Sequence, residues 1–246
     1  TQYAVLGLKA AALCGVRPPD ADMMWRKVIQ EFLLGQEATG KEVVLNVEAE
    51  GQVKKVKKGK EKEKEPGFLK GFEEAETGGR KRKAKVRGWA YHRNQNPAQM
   101  MAGTGTMTAA GLTALLVGRS ELRLTPKEAE KVDEAVRDGL AWSQENWLQM
   151  MPASPSSSGY MLYGLERVGV LGGLRTIGGH DWYVEGAKAL IQAQKADGSW
   201  DGGYSSPIGT SFCLLFLTLG TREEYAKPSY RIDDFAPAPP KPPPAP

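Results

Sequence analysis

Residues 210–220 read TSFCLLFLTLG, a run that is apolar almost all the way round, the mark of a helix enclosed on every side. The pattern recurs without gaps as TAAGLTALLVG at residues 108–118 and as GYMLYGLERVG at residues 159–169. The three starts lie 51 residues apart, and so do the glycines that end them, Gly118, Gly169 and Gly220. A glycine at a fixed place after an apolar helix predicts a C-terminal cap in the left-handed region. A fourth copy, TQYAVLGLKAA at residues 1–11, runs on to Gly15; it starts 107 residues before Thr108, one repeat plus an excess of 56.

Between these apolar runs lie amphipathic ones. Met24, Trp25, Val28, Ile29 and Phe32 form a stripe after Asp20 and Asp22, either of which can cap. Thr125-Pro-Lys-Glu is a capping box with proline at the first helical position, followed by Ala129, Val132, Val136 and Leu140 on one face. Asp181 in GGHDWY caps a third helix carrying Tyr183, Ala187, Leu190 and Ile191. That helix closes at Gln194, and QAQKADGSWDGG (residues 192–203) turns the chain into the next apolar run. A period near 50 residues holds two helices and short turns. The expectation is an all-α fold in which fully buried and half-buried helices alternate as two concentric layers, an α/α barrel, with no sheet within residues 108–220.

GAKALIQAQKADGSW (residues 186–200) resembles the QW repeat of the terpenoid cyclase and protein prenyltransferase superfamily, whose helical hairpins close into an α/α toroid. YGLERVG, GGHDWYVEGA and TQYAVLGL are similar to a bacterial branch with prenyltransferase/squalene oxidase repeats. The resemblance covers residues 1–35 and 88–220. It implies that Gln194, Asp197, Gly198 and Trp200 form a structural joint, the Gln amide satisfying helix-end groups while the indole covers the turn. Gln36 finds its Gly88-Trp89 partner only beyond an insertion, and Gln144 is followed by Trp147 without the glycine. Such toroids close with about five to seven hairpins, and about three and a half are present. Because the chain opens inside a helical pattern, upstream hairpins are expected, and no targeting signal or compartment can be read from it.

The chain thus divides into repeats at 1–35, a basic insertion at 36–87, repeats at 88–228 and a proline-rich tail at 229–246. Within the insertion, EVVLNVEAEGQVKKV alternates as a hairpin strand pair would. From Lys54 to Arg87, fourteen Lys and Arg face six Glu, a net +8 in a chain of +4 overall. Such a run either recruits nucleic acid or an anionic surface or is a solvated loop, and the lack of interleaved aromatics beyond Phe68 and Phe72 favours the loop. Deletion of residues 41–86 is therefore expected to leave the core folded. The tail APAPPKPPPAP reads as a polyproline-type spacer. No apolar run is long enough to span a membrane. Cys14 and Cys213 read as buried small hydrophobes, and His92 and His180 have no ligand at metal spacing.

The family's chemistry requires groups that this sequence lacks where they would fall. Class II cyclases protonate with an Asp-x-Asp-Asp entering an inner helix; the aligned positions hold Ser206, Pro207, Ile208 and Gly209. The adjacent aspartates of RIDDF (231–235) lie outside the repeats. The prenyltransferase zinc ligands would fall at Gly209 and Ser211, with Cys213 displaced and no following His, so neither metal nor cofactor is implied. Glu166 is the one candidate buried acid, and Arg167 beside it favours an ion pair over a general acid. Tyr3, Tyr160, Tyr163 and Phe212 on inner helices, with Trp89, Tyr91 and His92 leading into one, are either core or the wall of an apolar pocket. The expected function is a non-catalytic scaffold for a protein or an apolar, isoprenoid-like ligand. The alternatives are a cyclase or prenyltransferase whose acid lies upstream, and polyanion binding through the insertion.

Overall fold

The computed structural model describes residues 2–49, 82–91, 102–151, 159–201 and 205–219. These residues form helices α1 (Gln2–Leu13), α2 (Ala21–Gly35), α3 (Gly105–Glu121), α4 (Pro126–Glu145), α5 (Trp147–Met150), α6 (Gly159–Gly172), α7 (Trp182–Ala193) and α8 (Ser206–Leu219). They also form short strands β1 (Glu42–Leu45), β2 (Val47–Ala49), β3 (Arg82–Lys85), β4 (Leu174–Ile177) and β5 (His180–Asp181). The fold is mainly helical, and the apolar repeats are α1, α3, α6 and α8.

These four pack as a row running in one direction. Ala109 of α3 lies against Gly164 of α6 beside Gln2 of α1, and Leu116 of α3 lies against Gly172 of α6. At the far end of α1, Lys9 bonds Ser120 and Glu121 of α3. Gly159 of α6 meets Gly209 and Phe212 of α8. Helices α2, α4 and α7 run the opposite way behind the row: Gly118 meets Ile29, Gly139 meets Leu112 while Arg119 reaches Asp133, and Gly186 meets Phe216. Burial follows the layers only in the middle of the row. All of α3 from Thr108 to Gly118 is buried, whereas α2 buries only Ala21, Trp25, Ile29 and Phe32. The end helices depart from expectation: α1 buries only Gln2 and Val5, and α8, apolar almost all the way round, buries Cys213 and Phe216 against α6 and α7 but exposes Ile208, Leu214 and Leu215.

The caps hold in two places of three. Thr125 and Glu128 make the reciprocal capping box, and Asp181 accepts from the Val184 N–H at 3.0 Å. Asp20 stands at the N-cap of α2 without a side-chain bond to the helix. Gly118 and Gly169 are not caps: both lie inside their helices, and α6 ends at Gly172, followed by Gly173 at φ 59°. A Cβ on Gly118 would sit 2.8 Å from Ile29, and one on Gly169 2.2 Å from Trp182. The repeated glycine is the point where an opposing side chain presses against helix backbone, a second reason for a missing Cβ. Gly220 lies outside the described residues.

Strands are not confined to the insertion, contrary to expectation. β4 and β5 pair antiparallel at the α6–α7 turn, with Thr176 opposite Asp181 and Ile177 opposite His180. Of the hairpin expected over residues 42–56, residues 50–56 lie outside the described residues, and the described part pairs elsewhere. β1 pairs with β3, Leu45 opposite Arg82, while β2 pairs with β4, Val47 opposite Ile177. One extended run of chain thus serves two sheets, parted at Asn46. The roots of the insertion belong to the core, since Leu45, Val47 and Ala84 are buried within it. Buried Asp138 accepts from the Lys85 N–H at 2.7 Å and from Arg87 Nε at 2.7 Å. Removal of residues 41–86 would take away that packing, so the expected tolerance does not extend to the whole insertion. The charge run at 50–81 and the proline-rich tail lie outside the described residues. Of the two cysteines Cys213 is buried, but Cys14 lies past the end of α1 and is exposed.

Candidate binding site

Tyr3, Tyr160, Tyr163 and Phe212 come from three different helices of the inner row and meet in one cluster. Tyr3 on α1 lies 5.8 Å from Tyr160, 6.3 Å from Tyr163 and 6.1 Å from Phe212, ring centre to ring centre. Phe212 on α8 lies 5.7 Å from Tyr160 and 5.6 Å from Tyr163 on α6. Parallel helices in similar register put residues from their first two turns at one end of the row, which is why distant positions converge. Rings this close touch one another, each pair contributing on the order of 0.5–1.5 kcal/mol. No space remains between them for a ligand. Tyr3 is nevertheless 44% exposed, and the other three are half-buried. The cluster is an aromatic platform open on one side, not a closed pocket.

Beneath it lies the acid singled out in the sequence. Glu166 is fully buried, and its carboxylate accepts from Arg167 Nε at 2.6 Å and from a second guanidinium nitrogen. The same guanidinium sits 5.2 Å over the Tyr163 ring. Burial pushes the Glu166 carboxyl above its ordinary range, and the Arg167 bond and charge pull it back. Burial likewise raises the hydroxyl of Tyr163 and that of Tyr183; the Arg167 charge opposes the rise at Tyr163, and the charge of Glu166 adds to it at both. The pair is internally neutral, so the platform carries an apolar surface with no uncompensated charge below it. The stacking of Arg167 on Tyr163 is the contact that sequence reading missed; its signal is their i, i+4 spacing on one helix face.

Two other expected pocket residues lie elsewhere, and His92 is outside the described residues. Trp89 is buried at the α2–α3 joint, where its indole N–H donates to the Phe32 carbonyl at 2.8 Å. Tyr91 is 61% exposed and its hydroxyl pairs with Thr106 Oγ1 at 3.0 Å.

The joint residues do assemble, with the work divided differently from expectation. Trp200, buried, donates its indole N–H to the Leu190 carbonyl at 2.8 Å, and its backbone N–H to Thr210 Oγ1 at 3.0 Å. Trp89 repeats both bonds, to Phe32 and to Thr108 Oγ1. Phe32 and Leu190 each stand four residues before the glutamine that follows their helix, so in both joints the indole caps a last-turn carbonyl. The amides do something else. Gln36 donates to the carbonyls of Arg87 and Ala135, while Gln194 closes its own turn onto the Gly198 carbonyl. Gly198, at φ 82°, supplies that turn, and Asp197 accepts from the Ser199 N–H and hydroxyl. Gln144 does not form such a joint; it accepts from the Asn46 N–H and donates to the Val44 carbonyl.

Other chemistry is sparse. Ser206, at the expected acid position, donates to the Trp200 carbonyl. His180 stacks on Trp147 at 4.4 Å, and one carboxylate, Glu185, binds both rings. A groove of about 590 Å³ runs between α2 and α4, floored by Ile29, Leu33 and Val132 and crossed by the Arg26–Glu128 ion pair. Among the described residues no three His, Cys, Asp or Glu side chains gather as metal ligands, and no helix is long and apolar enough to cross a membrane. Comparisons with family models, with curated proteins and with solved structures found no match.

Proposed function

We propose that this chain is a non-catalytic scaffold of the terpenoid cyclase and prenyltransferase toroid type, which binds a protein or an apolar, isoprenoid-like ligand on its aromatic platform. The toroid reading is supported by the two-layer alternation, by an inner row running in one direction, and by Tyr3 and Phe212 bringing the first and last of its helices together. The observation that carries the function is the platform itself: four rings from three helices, half-exposed, over a neutral Glu166–Arg167 pair. Apolar burial on such a surface contributes about 25 cal/mol per Å² without any reactive group. Glu166 is spent on Arg167 and faces no exposed surface, so it has the place of a structural ion pair. The test is incubation with squalene and with farnesyl diphosphate plus a thiol peptide, reading binding by equilibrium dialysis and products by mass spectrometry. Binding without turnover, weakened in Tyr160→Ala, is expected. Product that disappears in Glu166→Gln would overturn the reading.

Polyanion binding is a second reading, favoured by Lys83 and Lys85, which lie on the exposed side of β3 at the root of the charge run. It requires salt-dependent retention of nucleic acid or anionic vesicles that is lost when residues 50–81 are replaced by a neutral linker.

A further inference from the structure

Along the inner row one helix packs on the next, α1 on α3, α3 on α6 and α6 on α8. Ala109 and Leu116 of α3 lie against Gly164 and Gly172 of α6 and are buried. Two repeats of 51 residues further on, the same positions in α8 are Ser211 and Thr218, and both are exposed. Between them on one stripe stand Leu214 and Leu215, 48% and 42% exposed. The other end of the row mirrors this. Aligning Thr1 with Thr210 makes Ala4 and Gly7 the counterparts of Cys213 and Phe216, which α8 buries against α6 and α7. In α1 both positions are exposed, and so is Ala10 one turn on.

Neither end carries the polar outer face that closes a helical array in water. α8 has no charged residue, and Lys9, the one charge of α1, is turned to Glu121 of α3 at 2.5 Å. Depletion of charge is also what marks the core of a protein interface. A glycine inside a helix weakens it, and Gly111, Gly118 and Gly169 have a reason in side chains that a Cβ would meet at 2.4, 2.8 and 2.2 Å. A Cβ on Gly7 would meet nothing within 4 Å. Tyr3 and Phe212 touch near the start of their helices, yet the two end faces do not cover each other, since both are exposed. From these observations we infer that the chain associates head to tail with a second copy of itself. The Leu214–Leu215 face of α8 in one protomer packs on the Ala4–Gly7–Ala10 face of α1 in its partner, extending the row by the contact already repeated within the chain. A contact between two different faces continues until it closes into a ring or runs on as a filament. The inference concerns the ends of the row, and it holds or fails whatever the platform binds.

Sedimentation velocity on the full chain tests it. At about 100 µM, above the micromolar Kd that bounds interfaces of ordinary size, the wild type is expected to sediment as dimers and larger species. Leu214→Glu puts a charge on the α8 face, and Gly7→Arg puts bulk and charge on the α1 face. Both positions are open in the single chain, so circular dichroism should show the fold unchanged, and Leu215→Glu serves as a second variant of the α8 face. Each variant alone should be monomeric, its Kd raised at least about a hundredfold by the lost apolar contact and the burial of an unpaired charge. An equimolar mixture of Leu214→Glu and Gly7→Arg keeps one intact face of each kind, and should give a dimer and nothing larger. A monomeric wild type or a monomeric mixture would overturn the proposal. So would Gly7→Arg assembling as the wild type does, because α8 would then pair with itself, or Leu214→Glu doing so, because the contact would lie elsewhere.

Discussion

Replacing Trp200 separates the two tasks of the joint indole, filling space and capping a helix. Trp200 is 2% exposed, and its N–H satisfies the Leu190 carbonyl in the last turn of α7 at 2.8 Å. Trp200→Phe keeps most of the packing but orphans that carbonyl, which costs about 1–3 kcal/mol. Trp200→Ala also empties the site, and losing a packed Trp costs about 3–5 kcal/mol. For a protein of this size each kcal/mol moves Tm by about 2–4 °C, so the shifts are about 2–12 °C for Phe and about 6–20 °C for Ala. Because Trp89 makes the same pair of bonds, to Phe32 and Thr108, Trp89→Phe should fall within about 1 kcal/mol of Trp200→Phe. Calorimetry on the three variants reads all of this. An unchanged Tm in Trp200→Ala would refute the clamp, and a Phe variant as damaged as its Ala counterpart would assign the whole effect to the bond.

The insertion should divide into a dispensable tip and an essential root. A six-residue Gly-Ser linker in place of residues 50–81 can span the few residues between Ala49 and Arg82, because Arg82 pairs with Leu45, and should leave Tm within a few degrees. Deleting residues 41–86 removes buried Leu45, Val47 and Ala84 and the backbone partner of Asp138, and should lower Tm steeply by the same assay. Native protein treated with a maleimide at pH 8 should take one label, at exposed Cys14, and a second only in denaturant, because burial pushes the Cys213 thiol up to about 11. Glu166, with its carboxyl raised in the folded state, binds protons more readily folded than unfolded. Its penalty is therefore greatest at neutral pH and relieved as pH falls toward the folded value. Between pH 7 and 4.5 the wild type should gain stability relative to Glu166→Gln in thermal melts, and an opposite trend would show that Arg167 outweighs burial.

The helices, and the pairing of Gln36 with Trp89 across the insertion, were legible because both follow from a single period. The same period placed Tyr160, Tyr163 and Phe212 on inner helices, and parallel packing brought them together with Tyr3. What the sequence hid is of another kind. Gly118 and Gly169 read as caps because left-handed backbone and close approach both require a missing Cβ, and composition does not distinguish them. Four alternating residues announce a strand but not its partner, so residues 42–56 read as a hairpin, whereas β1 pairs with β3 and β2 with β4. Trp89, on the loop leading into α3, reads as a pocket residue, although its Gly-Trp pairing with Gln36 already marks it as a joint residue. Cys14 missed burial because α1 stops one residue short of it.

The divided strand at Asn46 has consequences for how the molecule unfolds. Arrays of repeated hairpins hold together through nearest neighbours, and one unit can fray while the rest persist. Here a single stretch, residues 42–49, is stitched to β3 on the flank of α4 and to β4 at the α6–α7 turn. Asn46 lies at the crossing, its N–H held by Gln144 and its carbonyl accepting from Gly178 at 2.7 Å. Peeling α6 and α7 from the row would drag that stretch off β3, and freeing the insertion would expose the α6–α7 turn. The strap thus converts two adjacent units into one cooperative block. Contacts such as Val47 with Ile177, 130 residues apart, also make that block slow to assemble compared with the local hairpins around it.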